Sequence, residues 1–425
     1  MKLVTLCAFS LGLALAQPAG DPAAIARKAV DLLVGEKYSD LFQMFSADLQ
    51  DPQKGIPEAQ LAKIGAGIKA WGALESIGAP EVRKAGVNTV AIFPAKFASQ
   101  NMKFQIAINS SGKVAGLYML PGEVPWQRPP YSKPGSFQER EATVGDGEWK
   151  LPGTLTIPNG NGPFPAIVLV HGSGPNDRDE TVGAAKVFKD LAEGLASRGI
   201  AVLRYEKRTK VYPAKMAGLS NMTVNDETVD DAVKGAALLR AQKEVDPKRV
   251  FLLGHSLGGY LAPRIATADQ KLAGLVILAG NVRPLEDLIV EQSVYLGAPA
   301  KTLEGFKVQQ ARIKVLEPAD LDAPPILGMP VSYLLDLKGY DPAAEAKKLA
   351  IRMLILQGER DYQVTVKEFE LWKTAVGARK DVTFRSYPAL NHLFVPGEGK
   401  STPAEYNKPG HVAPEVIDDI AKWIG

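Results

Sequence analysis

From about residue 139 onward, short apolar runs alternate with longer stretches of helical periodicity. The runs are Ala166–Val170, Ile200–Arg204, Val250–Leu253, Leu275–Leu278 and Met353–Leu356. A strand that is apolar at nearly every position must be buried on both faces. A parallel sheet meets that demand when its crossover helices cover both sides. The helical patterns fall near 183–198, 226–242, 257–267 and 365–376, and Pro414–Ile424 closes the chain. The alternation therefore predicts an α/β domain over 139–425, with a mostly parallel sheet and helices on both faces.

The chain has 425 residues, which suits two domains better than one. Residues 21–122 read as a small α+β domain. Asp21-Pro22 opens a helical pattern with Ile25, Ala29, Leu32 and Leu33 on one face, and a second helical piece runs around Tyr38 to Phe45. Alternating segments follow at Val87–Phe93, Lys103–Ile108 and Val114–Tyr118, the last two joined by the turn Asn109-Ser110-Ser111-Gly112. The proline-rich stretch 123–138 reads as a linker. Residues 1–16 read as a signal peptide: Lys2 supplies a positive start, Leu3 to Leu15 an apolar stretch, and Ala14-Leu15-Ala16 a small-residue cleavage site. The expected mature protein is exported, periplasmic or extracellular, and keeps no membrane span after cleavage.

The only cysteine is Cys7, inside that signal, so the mature chain offers no disulfide, thiol nucleophile or thiolate ligand. Four scattered histidines give no closed metal-ligand set, and no cofactor is expected. The net charge of +3 is spread without a basic run or basic–aromatic stripe, which argues against a nucleic-acid partner.

The chemistry concentrates at Gly254-His255-Ser256-Leu257-Gly258-Gly259, directly after the run Val250–Leu253. Gly-x-Ser-x-Gly between a strand and a helix turns the chain sharply enough to lift a serine hydroxyl clear of the sheet. Side chains at Gly254 and Gly258 would collide with neighbouring backbone. Ser256 is thus the candidate nucleophile, and the Leu257 N–H, near a helix N-terminus, is a candidate donor to a developing oxyanion.

A serine hydroxyl needs a general base. The histidines are His171, His255, His392 and His411. His255 adjoins the serine, and its ring should point away from Ser256 Oγ. His392 follows the strand-like run Val382–Tyr387 and precedes the last helix, where a loop can present imidazole to the serine. It is a stronger candidate than His411. Asp361, just past Met353–Leu356, is the candidate to orient the imidazole. Glu359 is its rival, and the alternative role for Asp361 is to cap the helix near Thr365. The order Ser256, Asp361, His392 follows the order serine, acid, histidine.

The second oxyanion donor is expected from the loop after Ala166–Val170, which reads His171-Gly172-Ser173-Gly174-Pro175-Asn176-Asp177-Arg178-Asp179. The Ser173 N–H is the candidate. His171 reads as a structural residue rather than a proton carrier, and Asp177, Arg178 and Asp179 as an ion pair that shapes the loop, with substrate contact as the alternative.

These motifs resemble the α/β-hydrolase superfamily over 139–425. His171-Gly172-Ser173-Gly174-Pro175, Tyr205-Glu206-Lys207-Arg208 and Leu390-Asn391-His392-Leu393-Phe394 resemble a group of secreted bacterial carboxylesterases that carry an N-terminal domain of unknown function. They also resemble a serine aminopeptidase-like branch. The resemblance implies an α/β-hydrolase fold in which residues 281–345 form a helical cap. It also implies a small-molecule ester substrate, and since no lipid-surface feature stands out in the sequence, a short or medium acyl chain is expected. Two alternatives stand beside it: a peptidase or amidase with the same machinery, and a non-catalytic secreted binding protein on a hydrolase scaffold.

Overall fold

The computed structural model describes residues 20–122, 125–219 and 221–425. The expected signal segment 1–16 lies outside the described residues. The chain divides into two compact units, Met1–Val124 and Pro125–Gly425. Among the described residues no helix is long and apolar enough to cross a membrane.

The first unit packs helices on an antiparallel sheet. Its opening helix, Pro22–Val34, starts where the Asp21 carboxylate accepts the Ala23 N–H at 3.0 Å, with proline at the first helical position. That helix buries Ala26, Ala29, Val30 and Leu33. The strand Asn101–Ile108 alternates half-buried and buried positions, so Phe104 and Ile106 join Phe93 in the core. The Asn109 side chain accepts the N–H groups of Ser111 and Lys113, and Gly112 takes a φ of 72°, which fixes the hairpin to Val114–Pro121. The helix Glu58–Lys69 and the strands Leu74–Ile77 and Glu81–Ala85 are additional to the expected elements. Glu81–Ala85 is exposed at every position, so it lacks the apolar alternation that marks a strand in sequence.

The second unit is built on an eight-stranded sheet. From one edge the strands are Val382–Tyr387, Arg352–Gly358, Gly274–Leu278, Val245–His255, Phe164–Val170, Ala201–Tyr205, Leu151–Pro158 and Phe137–Val144. The first six run parallel; the last two pair antiparallel at the far edge. Each apolar run of the sequence lies in the parallel part. Phe137–Val144 escapes a reading based on apolar runs because four of its central residues, Gln138–Glu141, face solvent.

Successive strand residues feed opposite cores. Val168, Leu252, Ile277 and Ile355 pack under the helices Asp230–Arg240, Leu257–Ala268 and Val366–Val376. Ile167, Leu253, Val276 and Leu354 pack under Val187–Ala196 and Pro414–Ile424. The period of two thus explains why these strands carry no polar face.

The proline-rich stretch expected as a linker behaves differently from Pro125 onward. Trp126 Nε1 donates to Asp190, Arg128 and Ser132 hold Glu193, and Tyr131 Oη donates to the Val412 carbonyl. Its aromatic and polar side chains, interleaved with the prolines, bind it to the second unit. Residues 281–345 form the expected helical insertion, with helices Leu285–Tyr295, Ala300–Lys314 and Val331–Leu337. A small core of Ile313, Leu316, Ile326, Val331 and Leu334 holds it together.

Replacing Ile420, fully buried on the inner face of the last helix, by Ala is expected to cost about 2–5 kcal/mol of unfolding free energy. An earlier urea midpoint reads this loss. Lys422→Ala, on the exposed side of the same helix, is expected to stay within about 0.5 kcal/mol.

Candidate active site

The strand Val245–His255 passes into the helix Leu257–Ala268 through the single residue Ser256. Ser256 takes φ 54° and ψ −117°, a conformation that a side-chain-bearing residue adopts only when its surroundings compel it. A Cβ on Gly254 would lie 2.1 Å from the Gly258 carbonyl oxygen, and one on Gly258 would lie 2.3 Å from the Val170 carbonyl oxygen. Only glycine lets these three backbone segments approach so closely. The Ser256 N–H is held by the Leu278 carbonyl at 2.9 Å, and the Ser256 carbonyl accepts the Tyr260 N–H at 2.9 Å. The turn is thereby fixed from both sides while the serine itself remains partly exposed.

Asp361 and His392, both 4% exposed, meet between the loops after two neighbouring strands. His392 Nδ1 stands 2.6 Å from Asp361 Oδ2. Asp361 Oδ1 accepts the N–H groups of Gln363 and Val364 at 2.7 and 3.0 Å, so the carboxylate also orders the turn into the next helix. Asp361 thus does not cap the helix Val366–Val376, whose N-cap Thr365 has no side-chain bond; its Oδ1 orders the turn before that helix, while Oδ2 faces His392. Glu359 instead accepts from Ser386 at 2.8 Å. His411 faces Asp190 on another part of the unit.

The loop after Phe164–Val170 is pressed against the nucleophile: a Cβ on Gly172 would stand 3.1 Å from Ser256 Cβ. The Gly172 N–H donates to Glu180 at 2.7 Å, and its carbonyl accepts from Lys207 Nζ and Asn176 Nδ2. The Ser173 N–H has no acceptor among the described residues. The Leu257 N–H is the first of its helix and has no helical acceptor by position. His171 is buried against Phe188 and Tyr205, with Nε2 at 3.0 Å from the Asp177 carbonyl. Burial pushes its pKa down to about 4, so the ring is neutral. Arg178 and Asp179 do not form the pair with each other that the sequence reading gave them. Arg178 binds Glu206 and Glu141, and Asp179 binds Lys186 and Arg204.

Sequence reading missed a buried pair beside the elbow. His255 Nδ1 lies 2.9 Å from Glu180 Oε2, an approach too bent for a good hydrogen bond, and His255 Nε2 lies 2.9 Å from the His392 carbonyl oxygen. Burial disfavours charge on His255, but the Glu180 carboxylate outweighs it and holds the imidazole pKa above its ordinary value. Burial likewise works to raise Glu180, and the His255 charge brings it below the usual carboxylate value. The pair ties the Gly172 loop, the elbow and the His392 loop together. Glu180 carries a φ of 47°, a strained backbone that no spacing in the sequence reveals.

A cavity of about 290 Å³ opens beside the loop, lined by Gly174, Pro175, Met216, Met222, Glu227 and the insertion residue Pro330 among others. Among the described residues no cluster of three or more His, Cys, Asp or Glu is set to hold a metal ion.

Residues 167–408 match the alpha/beta hydrolase family, and residues 26–117 match a family of proteins of unknown function, DUF3887. Esterase EstD of Thermotoga maritima is 44% identical over 340 residues, covering 78% of each chain. Acyl-coenzyme A thioesterase 1 of Homo sapiens is 27% identical over 254 residues, 58% of this chain and 53% of its own. The solved structure of Est1E from Butyrivibrio proteoclasticus aligns with 67% of this chain and 98% of its own, at 15% identity and a TM-score of 0.45.

The Glu180–His255 pair has a defined pH signature. A raised histidine pKa stabilises fully below the unfolded value of 6.5 and is lost as pH rises through the folded one. A lowered carboxylate pKa stabilises fully above 4.5 and is lost as pH falls through the folded one. The melting temperature of the parent protein, minus that of Glu180→Gln, is therefore expected to peak between pH 4.5 and 6.5 and shrink on the alkaline side. A difference that is flat with pH would contradict the pairing.

Proposed function

The chain belongs to the α/β-hydrolase family, and from that premise we propose that it hydrolyses carboxylic esters of short or medium acyl chain through an acyl-enzyme at Ser256. The observation that carries this reading is the 2.6 Å contact of His392 Nδ1 with Asp361 Oδ2, in the same unit as a serine held in left-handed backbone. The esterase relative at 44% identity supports the choice of ester.

With Nδ1–H committed to Asp361, Nε2 of His392 is the nitrogen that takes the Ser256 proton. Ser256 Oγ bonds to the ester carbonyl carbon, and the carbonyl electron pair moves onto oxygen. The N–H groups of Ser173 and Leu257 receive that charge. Collapse of the intermediate expels the alcohol, which recovers the proton from His392. Water then repeats the sequence on the acyl-enzyme, releases the acid and restores Ser256. Asp361 holds the imidazole in place and stabilises the imidazolium. The cavity beside Gly174 and Pro175 is mostly apolar, and its volume of about 290 Å³ supports a modest acyl or alcohol group. The reading includes export, which rests on Lys2 and the apolar run Leu3–Leu15.

Ser256→Ala is expected to lower kcat on p-nitrophenyl butyrate by about 10⁴-fold or more, with the fold retained. Asp361→Asn is expected to lower it by about 10⁴-fold. Undiminished turnover by Ser256→Ala would remove the mechanism. Aminoacyl-amide substrates belong in the same panel, and faster turnover of these than of esters would turn the reading toward a peptidase. For export, the mature chain should begin at Gln17 and be recovered outside the cytoplasm; a cytoplasmic chain starting at Met1 contradicts it.

A further inference from the structure

Lys207 is 2% exposed and follows the strand Ala201–Tyr205. Its Nζ donates to the Gly172 carbonyl at 2.9 Å and stands 3.0 Å from Glu227 Oε1. Glu227 is also buried, and its second oxygen accepts from Tyr333 Oη of the helical insertion at 2.7 Å. A charged pair this deep is a weak source of stability, because desolvation offsets the attraction. Its geometry has a more specific consequence.

The Gly172 carbonyl and the Ser173 N–H belong to one peptide group. That peptide is trans, so the carbonyl and the N–H point in opposite directions from one rigid plane. Lys207 and Asn176 Nδ2 hold the carbonyl end, while Glu180 anchors the N–H of the preceding peptide. The Ser173 N–H, at the other end of the plane held by Lys207, has no acceptor among the described residues, and the next N–H, that of Gly174, has none either. Gly172, the neighbour of Ser173, lies against Ser256.

We propose that Lys207 is a positioning residue of the oxyanion site. Its ammonium fixes the Gly172–Ser173 peptide plane and so aims the Ser173 N–H. The positive charge on the carbonyl oxygen also polarises the amide and strengthens its N–H as a donor. Glu227 holds the ammonium in place, and Tyr333 carries the same chain of contacts into the insertion. This assignment rests on the ester-hydrolase reading, because it presumes that charge develops at an oxygen facing Ser173.

The test compares the parent enzyme with Lys207→Met, Lys207→Arg and the double variant Lys207→Met/Glu227→Gln. The double variant leaves no unpaired buried charge. Steady-state kinetics on p-nitrophenyl butyrate are read beside the inhibition constant of an alkyl trifluoromethyl ketone, which adds Ser256 Oγ to its carbonyl and leaves a tetrahedral oxyanion. Loss of one oxyanion donor costs about 10²–10³ in kcat, and misaiming one is expected to cost about 10–100-fold. The expected result is that loss in kcat for both methionine variants, KM within about threefold, and a parallel weakening of the ketone. Lys207→Arg is expected to recover part of both.

A folded double variant with kcat and ketone affinity near those of the parent enzyme would overturn the proposal. So would a change confined to KM, or loss of the fold in both methionine variants. A parent enzyme inert toward every ester would instead overturn the ester-hydrolase reading, and this assignment with it.

Discussion

Three backbone segments meet around Ser256 with no room for a side chain between them: the end of its own strand, the start of its helix, and the end of the strand Phe164–Val170. The 2.3 Å from a Cβ at Gly258 to the Val170 carbonyl oxygen expresses that constraint. It fixes where the helix Leu257–Ala268 begins and holds Ser256 at positive φ. It also sets how near the Gly172 loop comes to the hydroxyl. The parallel sheet makes the approach possible, because the two strands are direct neighbours and end side by side. Apolar packing on both faces then has to hold strained backbone in register.

Around that turn the protein buries charge. Glu180 holds the N–H of Gly172, and Lys207 holds its carbonyl. His255 joins Glu180 to the backbone of His392. Three loops from different parts of the chain are thus fastened through two acidic and two basic groups, each under 10% exposed when Glu227 is counted with Lys207. In a low-dielectric setting such contacts resist bending more than neutral ones do. Preorganised dipoles are what a developing oxyanion requires, since donors that need not move cost nothing at the moment of reaction.

Much of this could be read in the sequence, for physical reasons that differ by element. The parallel strands showed themselves because burial on both faces forces unbroken apolar runs, as in Ala166–Val170. Ser256 showed itself because the turn demands glycine at two fixed offsets. Asp361 and His392 were found by their places after strands, and the structure brings their side chains together. Phe137–Val144 and Glu81–Ala85 stayed hidden because their outward residues are polar. The stretch after Pro125 read as a linker because proline content outweighed the pairing of Arg128 with Glu193, 65 residues away. Glu180, His255 and Lys207 carried no readable signal of partnership. Their contacts join residues far apart in sequence, and no periodicity records them.

In the proposed mechanism Ser256 is the one residue that takes up an acyl group. A fluorophosphonate probe followed by peptide mapping tests it most directly. The expected result is a single adduct on the peptide containing Ser256, formed as ester hydrolysis is lost in equal proportion. Hydrolysis that survives complete labelling of Ser256, or an adduct on another residue that tracks the loss, would contradict it.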